Sequence, residues 1–80
     1  MSNLAAGWTT LVLTEARQAE FIYGPPTSAH EAYGVLAEEM AELLDAIRAN
    51  DLDAIRAEAV QVSAVALRLA CAEPTARWGA

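Results

Sequence analysis

The 80-residue chain has no lysine, one cysteine, one histidine, four glycines, three prolines, two tryptophans, two tyrosines and one phenylalanine. Each scarcity excludes something. Cys71 stands alone and cannot close an internal disulfide, and no Cys/His cluster suits structural zinc. Basic residues number five, all arginine, against eleven acids, for a net charge of −6. No basic stripe of the kind that tracks nucleic acid is present. No 18-residue apolar run exists, so no segment reads as a transmembrane helix. The opening MSNLAAGW lacks the basic start of a signal peptide, and the cytoplasm is the expected location. One histidine leaves no Ser-His-Asp or Cys-His arrangement to defend, and there is no Gly-rich phosphate loop.

What the chain has in quantity is alanine, leucine, glutamate and arginine, with 55% apolar residues overall. β-branched runs are absent, so an all-α fold is expected. Length sets one domain. A domain this small buries only roughly 60–65% of its unfolded surface. With neither disulfide nor zinc, the remaining supplement to the core is oligomerisation.

Punctuation divides the chain. Gly24-Pro25-Pro26 must stop a helix, because proline lacks the N–H and clashes with the preceding turn. Asn50 suits a helix C′ position and Asp51 an N-cap, a weaker break. Pro74 ends the last segment. The expected helices span about residues 3–23, 28–49 and 52–72, with a loose tail at 74–80 in which Trp78 could hold a partner.

The first helix carries an apolar stripe of Leu4, Trp8, Leu11, Val12, Ala19 and Ile22, with Glu15 on the same stripe. The second opens on Ser28 followed three residues later by Glu31, a capping box. Leu36, Met40, Leu43, Leu44 and Ile47 share one of its faces. The third has Ile55, Ala59, Val62, Ala66 and Leu69 on one side and Val60, Leu67 and Cys71 on the other. A helix apolar on two sides is buried on two sides. The third helix is therefore the expected centre of a homodimer or homotetramer bundle, and short loops make helices two and three an antiparallel hairpin.

The acids are not evenly spread. Glu38, Glu39, Glu42 and Asp45 crowd the second helix, where like charges at i, i+3 and i, i+4 repel. Such runs are commonly solvated faces. In the third helix, Glu58 falls between Val62 and Val65 on an apolar face, with Gln61 one turn further on. An ionised carboxylate there is expensive unless it is paired or bound to metal. Oxygen donors from two helices at this spacing suit Mg²⁺, with Mn²⁺ as the second choice.

The pattern Glu38-Glu39-x-x-Glu42, then a hairpin, then Glu58-x-x-Gln61 resembles the MazG-like nucleoside triphosphate pyrophosphohydrolases of the all-α NTP pyrophosphatase superfamily. The family signature is EExxE followed by ExxD. The words Glu15-Ala16-Arg17-Gln18, Tyr23-Gly24-Pro25, Ser28-Ala29-His30-Glu31-Ala32-Tyr33 and Glu58-Ala59-Val60-Gln61-Val62 are similar to its short bacterial and phage members. The resemblance covers about residues 15–69. It implies Mg²⁺-dependent hydrolysis of a nucleoside triphosphate to the monophosphate and pyrophosphate. By position, Glu38, Glu39, Glu42, Glu58 and Gln61 would hold the metal, and Glu39 would accept the proton of the attacking water. Gln61 departs from the family's aspartate, and its amide oxygen brings no charge. It ligates weakly, Asp45 compensates, or catalysis is reduced.

Arg68 and Arg17 are the candidates for contact with the triphosphate, and Tyr33 for the base. Each has a plainer role. Arg68 could be exposed or paired with Asp45; Trp8 and Cys71 belong in the core; His30 is an exposed or capping residue. The competing function is a non-catalytic helical oligomer or interaction module that keeps a remnant metal or nucleotide site.

Overall fold

The computed structural model describes Leu4 and residues 6–72. Among the described residues the chain forms three α-helices and no strand: α1 (Trp8–Tyr23), α2 (Ala29–Arg48) and α3 (Leu52–Cys71). The expected tail 74–80, with Pro74 and Trp78, lies outside these residues.

Helix boundaries follow local chemistry. α1 begins at Trp8, later than the start at residue 3 that the apolar pattern predicts. Gly7 has a φ of 85°, and a left-handed residue cannot continue a right-handed helix. Leu4 is left exposed ahead of it. At the other end Gly24, at φ 72°, gives its N–H to the Glu20 carbonyl, and Pro25 and Pro26 bar continuation. Ser28 caps α2, its Oγ accepting the Glu31 N–H at 3.1 Å. The Glu31 carboxylate reaches back to the Thr27 hydroxyl and N–H, one residue earlier than in a standard capping box.

The break at Asn50-Asp51 is tighter than its residues suggest. Asn50 adopts φ 53°, and the N–H groups of Asn50 and Asp51 bond the Ile47 and Ala46 carbonyls. This is the paired closure of a Schellman motif. Asp51 at once caps α3, accepting the Ala54 N–H at 3.1 Å. Two helices are thereby joined through residues 49–51 with their end groups satisfied.

α3 lies in the middle. α1 and α2 each pack on it, and they make no packing contact with one another. The two apolar sides of α3 are thus met within one chain, which removes the two-sided helix as a reason for oligomerisation. The buried core consists of Ala16, Ala32, Ala46, Val60 and Ala64. Small side chains at the centre let helix axes approach closely, and larger ones such as Leu36, Leu43, Val62 and Leu69 close the rims half-buried.

This alters the expected face of α2. The residues turned to α3 are Ala32, Leu36, Glu39, Leu43 and Ala46. Met40, Leu44 and Ile47, assigned to the core by their size, remain 50%, 44% and 48% exposed. The helix is rotated by roughly 60° from the orientation that centres its bulkiest residues. Close approach through alanines decided the rotation. Cys71, expected in the core, is exposed near the end of α3. Trp8 sits at the margin, its ring 5.9 Å from the Arg56 guanidinium carbon.

Candidate functional site

The rotation of α2 carries Glu39 inward. One carboxylate oxygen from each of Glu39, Glu42 and Glu58 lies within 4.8 Å of the others. Glu39 and Glu58 are half-buried where α2 meets α3, and Glu42 is at the open edge. The Oε2 atoms of Glu39 and Glu58 are buried and receive no hydrogen bond. Ionised carboxylates only accept hydrogen bonds, so three of them cannot satisfy each other. A proton or a cation between them would relieve their mutual repulsion.

Electrostatics agree with the geometry. Burial, with the nearby Glu42 and Glu58 charges, holds the Glu39 carboxyl above its ordinary range. Glu58 is raised too, first by desolvation and then by Glu42, while hydrogen bonding with Glu39 pulls the other way. Both groups resist ionisation as long as the site holds no positive charge.

The remaining predicted residues divide. Glu38 is exposed on α2 and stands outside the three-carboxylate group, as does Asp45. Gln61 gives its side-chain N–H to Glu15 of α1 at 3.3 Å. Arg68 is 13% exposed and binds Glu20 through Nε and Nη2 at 3.2 and 3.1 Å, with Nη2 also 2.9 Å from the Gly24 carbonyl. Its partner is therefore Glu20, not Asp45. Asp45 precedes residues 49–51 at the start of α3, and Arg68 lies about 24 Å further along that helix at 1.5 Å per residue.

A cleft of about 380 Å³ opens between the bend at residues 24–26 and the facing sides of α2 and α3. Pro26, Ala32, Val35 and Val65 supply apolar wall, and Glu39 and Arg68 both line it. The cleft therefore adjoins the acidic group through Glu39 and has a cation on its rim. Tyr33 does not line it and is 67% exposed. Arg17 lies elsewhere, exposed beside a separate depression formed with Leu13, Glu20 and Leu67.

Glu20 and the residues of the bend were not singled out as functional from sequence. The bend was legible only as a stop, and Glu20 carried no spacing signal of its own. Glu15 did carry one, since it sits on an apolar stripe as Glu58 does. The structure is thus that of an all-α domain with an acidic group between two helices and a cleft beside it. Comparison with protein-family models, curated proteins and solved structures finds no match for this chain.

Proposed function

We propose that this chain is a Mg²⁺-dependent nucleoside triphosphate pyrophosphohydrolase of the MazG-like kind, acting in the cytoplasm as a homodimer or homotetramer, with α2 and α3 as an antiparallel hairpin. One observation supports this above the others: Glu39, Glu42 and Glu58 converge from two helices, and two of their oxygens are buried with no donor. A hard divalent cation fits that donor set, since it takes oxygen ligands and cancels the charge that neither helix neutralises. Mn²⁺ is the close alternative.

Glu39, Glu42 and Glu58 would hold the metal, with Glu38 at the outer edge and the Gln61 amide oxygen as the weakest member. Bound there, Mg²⁺ supplies charge neutralisation for phosphate oxygens and Lewis-acid assistance at the α-phosphorus. Glu39 belongs to the acidic group and also lines the cleft, which makes it the candidate base of the set. It would take the proton of a water whose oxygen attacks the α-phosphorus, as the bond to the bridging oxygen breaks and pyrophosphate leaves. Arg68 would offer charge to the phosphates from the cleft rim while Glu20 and the Gly24 carbonyl hold it in place. Arg17 and Tyr33 would act only at the periphery.

A second reading is favoured by the commitment of Gln61 to Glu15 and by the large apolar side chains exposed along α2. On that reading the chain is a helical interaction module and the acidic group is a remnant. A pyrophosphate-release screen over ribo- and deoxyribonucleoside triphosphates, with Mg²⁺ and with Mn²⁺, separates the two. Metal-dependent release from at least one nucleotide is expected. No release with either metal sinks the enzymatic reading.

A further inference from the structure

α2 has two apolar seams, and the chain covers only one. The inner seam, with Ala32, Leu36, Leu43 and Ala46, lies against α3. The outer seam is Tyr33, Ala37, Met40, Leu44 and Ile47, all exposed. Its spacings of four, three, four and three residues are those by which one helix meets another along its length. Leu52, 55% exposed at the start of α3, is the next large apolar residue in the chain after Ile47. Among the described residues α2 packs on α3 alone, and the stripe stays on the exposed side of α2.

We propose that the outer seam of α2 is the surface on which a second copy of this chain docks, α2 against α2, antiparallel about a two-fold axis at Met40. The inference rests on the oligomeric part of the proposed function and is independent of the catalytic part. Area is the first argument. At exposures of 67%, 50%, 44% and 48%, Tyr33, Met40, Leu44 and Ile47 present on the order of 450 Å² to solvent, within the range for the largest apolar patch of an ordinary monomer. A standard interface covers about 800 Å² per partner, and the neighbouring Gly34, Ala41 and Arg48 can supply the balance.

Self-complementarity is the second argument. With the axis at Met40, Tyr33 of one copy meets Ile47 of the other, and Ala37 meets Leu44. A large side chain then faces a medium one, and a small one faces a large one, as interdigitation needs. No ionisable group lies on the seam between Tyr33 and Ile47, although each copy carries a charge of −6. An antiparallel pair also opposes the helix dipoles and keeps the two Arg48 side chains apart, whereas a parallel pair would set them side by side.

The test uses the full chain. Sedimentation should show a dimer or a multiple of it, and Leu44→Glu should shift the protein to monomer while its helical circular dichroism is kept. In a Cys71→Ser background, Met40→Cys should cross-link to itself on oxidation. Tyr33→Cys alone should not, but mixed with Ile47→Cys it should yield the heterologous cross-link. A wild-type chain that is monomeric at all concentrations overturns both this surface and the oligomeric reading. An oligomer unmoved by Leu44→Glu, or one in which Met40→Cys stays reduced, overturns the surface and leaves the oligomeric reading standing. Self-cross-linking at all three positions overturns the antiparallel arrangement.

Discussion

Acidic residues line both sides of α3, and the two sides treat them differently. Toward α1, Glu15 receives the Gln61 side-chain N–H and Glu20 receives the Arg68 guanidinium. Toward α2, Glu39, Glu42 and Glu58 crowd together, and two buried oxygens receive nothing. On the α1 side each of these half-buried carboxylates has one oxygen paired with a side-chain donor from α3. The α2 side lacks those donors, although the same helix supplies Gln61 about one turn and Arg68 about three turns beyond Glu58. Paired acids tie α1 to α3; the unpaired ones are where a cation is proposed to bind.

The sharpest way to break the comparison is to neutralise an acid on the α2 side. Glu42→Gln and Glu58→Gln should each lower pyrophosphate release by at least about 10²-fold, as loss of a metal-holding or charge-stabilising group commonly does. Without metal, Glu58→Gln should melt at a higher temperature than the native chain, because an uncompensated repulsion is gone. Retained turnover together with an unchanged or lower melting temperature would show that the acids of α2 and α3 are no more a site than Glu15 is.

Metal addition is next in size. At about 100 times its dissociation constant, a cation bound only by the folded chain adds roughly 2.7 kcal/mol of stability. In a domain of this length that is a rise of roughly 10–20 °C in Tm. Scanning calorimetry with Mg²⁺ and with EDTA measures it, and Glu39→Gln should erase it. An equal shift in that variant would put the cation elsewhere.

On the α1 side, Arg68→Ala should cost about 1–2 kcal/mol, or roughly 5–15 °C in Tm. The figure is held to the low end because Glu20 is 39% exposed and its pair is partly screened. A cycle with Glu20→Ala should show coupling between the two residues. The same cycle between Glu20 and Glu58 should show none if the two sides of α3 are independent.

The smallest effect is that of pH. Glu39 and Glu58 have folded pKa values above the ordinary carboxylate range, so the folded chain binds protons that the unfolded chain does not. As pH falls from neutrality through those raised values toward about 4.5, metal-free stability should therefore rise, and the gain should be complete once the unfolded carboxylates also protonate. With Mg²⁺ the sign should reverse, since protons then compete with metal. Tm against pH, with and without EDTA, reads both slopes. Matching slopes in the two series would mean that the cluster does not bind Mg²⁺.

Much of this was legible in the chain itself. Composition, the Gly24-Pro25-Pro26 stop, Ser28 as N-cap and the Asn50-Asp51 closure are local matters, and local rules placed α2 and α3 almost to the residue. Glu58 stood out because a carboxylate between valines is anomalous in any helix. Glu39 was legible as part of an acidic run, but not as its buried member. Size-weighted periodicity turned α2 toward Met40, Leu44 and Ile47, and did not include Glu39 in the buried face.

Three helices, most of their ends and an excess of acid follow from local chemistry along the chain. Which acids meet and which find donors follows from how the helices pack on one another. Helix rotation depends on how closely two axes can approach, and that is set by pairs of small side chains from different helices. Ala32 and Ala46 are buried on the face that α2 turns to α3. Their burial places Glu39 beside Glu58 and leaves Met40, Leu44 and Ile47 facing outward.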